Sequence, residues 1–255
     1  MFYKRNGNGS RTFLLFNGAR CEIGTWGYLA VQLGEMGEVI RFDYRDVGQT
    51  AQATDPYTLE TLAQDALALL DHLRIDRTYV IGHAFGGRVA QVFIRDNPKR
   101  ASALILCGTG GQFPPNLPKM DASPAKAGEK VSAADRFFIT FCGSKFPSQY
   151  PEQAQRFYDE LRTQTTYPGS KERLAQAIQS TPSDSYWGQI PKPLPALLLY
   201  GTEDRFGTPE NAKDLNQKLE GSRLVFIDGA GHFAIREEPD RVFEEIQKFI
   251  KDRDL

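Results

Sequence analysis

The sequence has little of what builds a framework without a core. Its 3 cysteines, Cys21, Cys107 and Cys142, are odd in number and scattered through 255 residues, which argues against a disulfide scaffold and fits reduced thiols. Its 3 histidines, His72, His83 and His232, show no ligand spacing relative to those cysteines, so neither a metal nor a cofactor is expected. Charge of one sign is also missing. Lys and Arg number 31 against 32 Asp and Glu, a net charge of -1, which leaves no electrostatic case for nucleic acid or an anionic membrane surface. No apolar run approaches the roughly 20 residues that span a bilayer. The opening Met1-Phe2-Tyr3-Lys4-Arg5-Asn6-Gly7 lacks the apolar stretch of a signal peptide. Together these absences predict a cytoplasmic protein with a small-molecule partner, and they leave oligomeric state unread.

What is present is enough apolar residue, 40%, for one large core in one domain, with room for a subdomain. Short apolar runs recur at Phe13-Leu14-Leu15-Phe16, Val39-Ile40-Arg41-Phe42, Tyr79-Val80-Ile81, Ala103-Leu104-Ile105-Leu106, Ala196-Leu197-Leu198-Leu199 and Leu224-Val225-Phe226-Ile227; they read as strands buried on both faces. Helical patterns lie between them. Leu59, Leu62, Ala63, Ala66, Leu69, Leu70 and Leu73 follow a Thr58 cap, and Thr208-Pro209 is a cap followed by proline at the first helical position. Val242, Ile246, Phe249 and Ile250 form one face of a last helix. Strand and helix in alternation predict an α/β fold with a mostly parallel sheet and helices on both faces.

One interval breaks the alternation. Residues 112–190 hold no strand run, open Pro-rich, and then carry helical stretches starting near Ser132, Pro151 and Ser170. A structureless loop of that length does not suit a compact domain. The expectation is therefore a helical cap at 112–190 inserted into a core made of 1–111 and 191–255.

The segment Tyr79-Val80-Ile81-Gly82-His83-Ala84-Phe85-Gly86-Gly87-Arg88 reads as strand, tight turn and helix. Glycines on both sides of position 84 allow backbone to approach closely, which is the pattern of a nucleophile elbow. Tyr200-Gly201-Thr202-Glu203-Asp204 ends a later strand, and Asp228-Gly229-Ala230-Gly231-His232-Phe233 follows the next. Position 84, then Asp204, then His232 is the order of a nucleophile, acid and base set at the ends of three strands.

On these residues the chain resembles the α/β-hydrolase superfamily, in particular capped small-molecule members such as esterases, carbon-carbon bond hydrolases and haloperoxidase-like enzymes. The resemblance covers nearly the whole chain. Asn17-Gly18-Ala19-Arg20 stands where a His-Gly pair usually follows the first apolar strand, and Asp43-Tyr44-Arg45-Asp46-Val47-Gly48-Gln49-Thr50 resembles Asp-x-Arg-Gly-x-Gly-x-Ser. The departures are Asn17, Asp46 and Thr50. The resemblance implies that His232 is the general base, that Asp204 orients it with Glu203 as a substitute, and that the backbone N–H groups of Ala19 and Phe85 form an oxyanion hole. His83 is expected to be packed in the fold. Cys21 is near the oxyanion loop, but the sequence places no base beside it. Phe137, Phe138, Phe141, Phe146, Phe157, Tyr158, Tyr186 and Trp187 in the cap serve either an apolar pocket or the packing of cap helices.

The family's nucleophile position is occupied by Ala84, and a methyl group cannot attack a carbonyl. Two readings stay open. In one, the site belongs to a hydrolase of a small apolar ester or of a ketone with a cleavable carbon-carbon bond, disabled by alanine in place of serine. In the other, alanine is native and His232 works as an acid and base in a cofactor-free lyase, decarboxylase or cyclase, or the protein binds a ligand without altering it.

Overall fold

Alternate residues of each strand serve opposite faces of one sheet. In this computed structural model, which describes residues 1–110, 132–165, 167–179, 189–190 and 192–253, seven strands form that sheet: β1 (Tyr3–Asn6), β2 (Thr12–Phe16), β3 (Glu38–Phe42), β4 (Thr78–His83), β5 (Ala101–Cys107), β6 (Ala196–Gly201) and β7 (Arg223–Ile227). Their spatial order is β1-β3-β2-β4-β5-β6-β7. Only β1 runs antiparallel, with Tyr3 opposite Phe42; the rest are parallel, with Phe13 opposite Tyr79 and Ile81 opposite Ile105.

Period-two alternation sorts the side chains into two apolar layers. Leu14, Phe16, Ile40, Phe42, Val80, Leu104, Leu106, Leu198 and Tyr200 face α2 (Leu59–Leu73), α3 (Phe85–Asp96) and α8 (Pro209–Lys218). Phe13, Leu15, Val39, Ile81, Ile105, Leu197 and Leu199 face α1 (Gly27–Leu33) and α10 (Pro239–Asp252). The expected helix starts hold. The Thr58 hydroxyl accepts from the Thr61 N–H to cap α2, and Thr208 caps α8 through the Asn211 N–H. The six apolar runs are strands β2 to β7. β1 is the strand without such a run, because Tyr-Lys-Arg-Asn is an edge strand left partly exposed.

Between β5 and β6 the described residues contain four helices: α4 (Ala133–Phe141), α5 (Lys145–Gln149), α6 (Pro151–Arg162) and α7 (Ser170–Gln179). Ser132 caps α4 in a capping box with Asp135, Pro151 opens α6, and Ser170 opens α7. Helices α4 to α6 share a third apolar cluster with the core, in which Phe137, Phe138, Phe146 and Phe157 meet Cys21 and Phe233, whereas Leu174 and Ala177 of α7 join the first sheet-face layer. No helix among the described residues is long and apolar enough to cross a membrane.

Candidate active site

Because β4, β6 and β7 are parallel neighbours around β5, their C-terminal ends share one edge of the sheet. Each delivers one of the expected residues there. Ala84 follows β4, Asp204 follows β6 and His232 follows β7.

The turn at Ala84 depends on backbone approach. A Cβ on Gly82 would lie 2.5 Å from the Gly87 Cα, and one on Gly86 would run into the carbonyl oxygens of Phe16 and Asn17. Only glycine fits either place. The result is a sharp strand-to-helix turn in which Ala84 has φ 50° and ψ −116°, a region that residues with a side chain rarely occupy. Its N–H donates to the Cys107 carbonyl at 2.9 Å.

The contact of Gly86 with Phe16 and Asn17 also presses the loop after β2 onto the start of α3. Ala19 and Phe85 flank that junction. Among the described residues neither N–H donates to a protein acceptor; for Phe85 this follows from its place as the first residue of a helix.

Asp204 and His232 meet directly. The His232 Nδ1 lies 3.1 Å from both carboxylate oxygens of Asp204, and the Asp204 Oδ1 also accepts from the N–H groups of Phe206 and Gly207 at 2.8 and 2.9 Å. An ionised carboxylate only accepts, so in this bond His232 Nδ1 is the donor, and among the described residues Nε2 meets no hydrogen-bond partner. Glu203, the sequence alternative for the acid, is committed elsewhere. Its carboxylate accepts from the N–H and hydroxyl of Ser144.

His83 is packed, as its position beside the elbow suggested. It is 1% exposed, and its ring lies against those of His232, Phe233 and Trp26. Burial, reinforced by the proximity of His232, pushes its pKa down to about 3. The imidazole is therefore neutral. Its Nε2 is 2.9 Å from the His232 carbonyl, which can only accept, so Nε2 carries the hydrogen. Cys21 is also unsuited to attack, because burial pushes its thiol up to about 11.

The three motif departures all carry scaffold roles. Asn17 donates to the Phe42 carbonyl at 2.7 Å and accepts from the Trp26 indole N–H at 2.6 Å. Thr50 donates to the Asp43 carbonyl and accepts from the Phe2 N–H. Asp46, at φ 67°, accepts both arms of the Arg173 guanidinium, at 2.7 and 2.8 Å, from α7. Burial works against its charge, but Arg173 and the Ala53 N–H hold its carboxyl below the usual range.

Sequence reasoning named Phe141 only as an aromatic for a pocket or for packing, and missed its partner Phe206 and Glu237, which brace this edge. Phe141 stacks on Phe206 with centroids 4.8 Å apart and planes 3° apart, and its ring also contacts His232. Of the aromatics between β5 and β6, Phe137, Phe138, Phe146 and Phe157 pack largely with one another and with Phe233, whereas Tyr186 and Trp187 lie outside the described residues. Glu237 is buried against the His232 loop, yet a glutamate ahead of Pro239 reads from sequence as an exposed helix start. No group of three metal-ligating side chains occurs among the described residues.

Comparison with known proteins agrees with this architecture. Residues 26–239 match the model of a family described as alpha/beta hydrolase fold. A poly(3-hydroxyalkanoate) depolymerase of Ectopseudomonas oleovorans is 30% identical over 219 residues, covering 84% of this chain and 75% of its own length. Rhodomycin D methylesterase DnrP of Streptomyces peucetius is 24% identical over 76% of this chain and 74% of its own. Among solved structures, the enol-lactonase from Burkholderia xenovorans LB400 superposes with a TM-score of 0.81 at 22% identity, covering 98% of this chain and 96% of that one. The chain belongs to the alpha/beta hydrolase fold family.

Proposed function

We propose that this is the site of a hydrolase for small apolar carbonyl substrates, esters or ketones with a cleavable carbon-carbon bond, and that Ala84 stands where a serine nucleophile belongs. The Asp204–His232 pair carries this reading, since both carboxylate oxygens lie 3.1 Å from Nδ1 at the edge where the elbow ends. The helices α4 to α7 between β5 and β6 form a cap that shields the substrate from water; residues 112–131, 166 and 180–188 of the interval 112–190 lie outside the described residues.

With serine at position 84, the hydroxyl oxygen attacks the carbonyl carbon while His232 Nε2 takes the hydroxyl proton. Asp204 holds the imidazole and stabilises its charge. The oxygen of the tetrahedral intermediate accepts from the N–H groups of Ala19 and Phe85, donors worth on the order of a hundredfold to a thousandfold in rate. Collapse breaks the bond to the leaving group, which departs with the proton from His232, and water then frees the acid by the same route. With Ala84 the covalent step is absent. The chain retains binding and carbonyl polarisation, and loss of such a nucleophile lowers turnover by about a millionfold. The names of relatives support this reading: one is a depolymerase and one a methylesterase.

The second reading is native acid–base chemistry by His232 and Asp204 alone, and the alanine itself favours it. The changes at Asn17, Asp46 and Thr50 do not, because each serves the scaffold. Ala84→Ser decides between the two. The serine chain is expected to gain one covalent adduct from a fluorophosphonate, read by intact mass, and to hydrolyse p-nitrophenyl esters; the unaltered chain is expected to do neither. A serine chain that stays unlabelled and inert rejects the hydrolase reading.

A further inference from the structure

Three consecutive N–H groups surround the His232 backbone, and none is left to solvent. The N–H of Gly231 donates to the Glu237 Oε2 at 3.0 Å, that of Phe233 to the Glu237 Oε1 at 3.1 Å, and that of His232 to the Phe141 carbonyl at 2.8 Å. The same Oε2 accepts from the N–H of Gly143 at 2.7 Å, just past the end of α4. Backbone meets backbone at this crossing, since a Cβ on Gly231 would lie 2.5 Å from the Gly143 nitrogen. Glu237 is 4% exposed. A buried carboxylate is costly unless its oxygens are bonded, and here one carboxylate bonds both neighbours of His232 and the chain that leaves α4.

We infer that Glu237 is a positioning residue, which locks the backbone on both sides of His232 and fastens it to the helices between β5 and β6, so that the imidazole stays aligned with Asp204. The inference rests on reading His232 as the base of the proposed site. Burial pushes the Glu237 carboxyl up to about 7, against the pull of its three N–H donors.

Neither readout of the test requires turnover, so its outcome is separate from that of Ala84→Ser. On the unaltered chain, amide hydrogen exchange by NMR should show Gly143, Gly231 and Phe233 slowed together, by about a hundredfold or more relative to an unstructured amide; free exchange at Gly231 or Phe233 overturns the inference. The second readout is the low-field proton on His232 Nδ1 that reports its bond to Asp204. Glu237→Gln puts an NH2 donor against N–H donors, and Glu237→Asp keeps the charge but withdraws it by one methylene. Both should lose or broaden that proton while circular dichroism and the methyl signals of Leu14 and Leu198, buried in the sheet's other face, stay native. If both fold and keep the proton sharp, at whatever melting temperature, Glu237 is structural only and the inference fails. Absence of the proton in the unaltered chain would instead reject the Asp204–His232 pair itself.

Discussion

At the scale of single residues, position 84 is where chemistry and conformation disagree. A side chain at φ 50°, ψ −116° is strained by about 1–3 kcal/mol, and glycine would occupy the turn without that strain. A site that had abandoned its nucleophile gains nothing by keeping a Cβ there. The strain makes sense if the position was shaped for a side chain aimed at substrate. A stability measurement follows from this. Replacement of an ordinary alanine by glycine destabilises, but Ala84→Gly should stabilise the chain by about 1 kcal/mol, because relief of backbone strain outweighs the added freedom of the unfolded chain. Urea denaturation at equal m-value checks it, and a loss of stability would mean that the turn is not strained at Ala84.

At the scale of elements, the family's usual glycine in the loop after β3 is replaced by Asp46, and its partner lies far off in sequence on α7. The ion pair with Arg173 is nearly sealed, with side-chain exposures of 1% for Asp46 and 15% for Arg173. Around it, Tyr167 donates to the Gly48 carbonyl and Gln52 to that of Pro168, so α7 is fastened to the core along that loop. Breaking one half of such a pair leaves the other charge with fewer partners. Arg173→Met should therefore destabilise more than the double change Asp46→Asn with Arg173→Met, in which the remaining amide still accepts from the Ala53 N–H. Chemical denaturation of the two chains measures the difference. A double change as damaging as the single one would show that the charge is not what matters. This pair also marks where the sequence stops being legible. Six strands, the caps at Thr58 and Thr208, a helix start near Ser132, and the order Ala84, Asp204, His232 follow from local patterns of period, capping and turn chemistry. Asp46 registers only as a motif departure, and Glu237 not at all, because their partners at Arg173 and Gly143 are brought to them by tertiary packing. The edge strand β1 escapes for a related reason: pairing with β3 holds it, not an apolar run of its own.

At the scale of the whole molecule, the apolar clusters determine how many pieces unfold. Two are the faces of the sheet, the first of which also takes in Leu174 and Ala177 of α7, and the third lies under α4 to α6. That third cluster is not self-contained, since it includes Cys21 from the loop after β2 and Phe233, the residue after His232. Phe157, fully buried, packs against Phe233 with centroids 5.0 Å apart and carries the Arg236 guanidinium 4.6 Å above its ring; Arg236 in turn bonds Glu160 and the Gly24 carbonyl. Contacts of this kind are shared between inserted helices and core, so neither side can lose them alone. The chain should then melt in a single transition. Phe157→Ala removes a ring from a site that cannot collapse around the loss, at about 3–5 kcal/mol. At about 2–4 °C per kcal/mol for a chain of this size, the whole transition should move down by roughly 10 °C without splitting. Calorimetry and hydrogen exchange of residues 133–179 test this together. If that segment instead melts first, leaving a folded sheet with its own later transition, the helices form an independent unit, and Phe233 would have to be held next to His232 by the sheet alone.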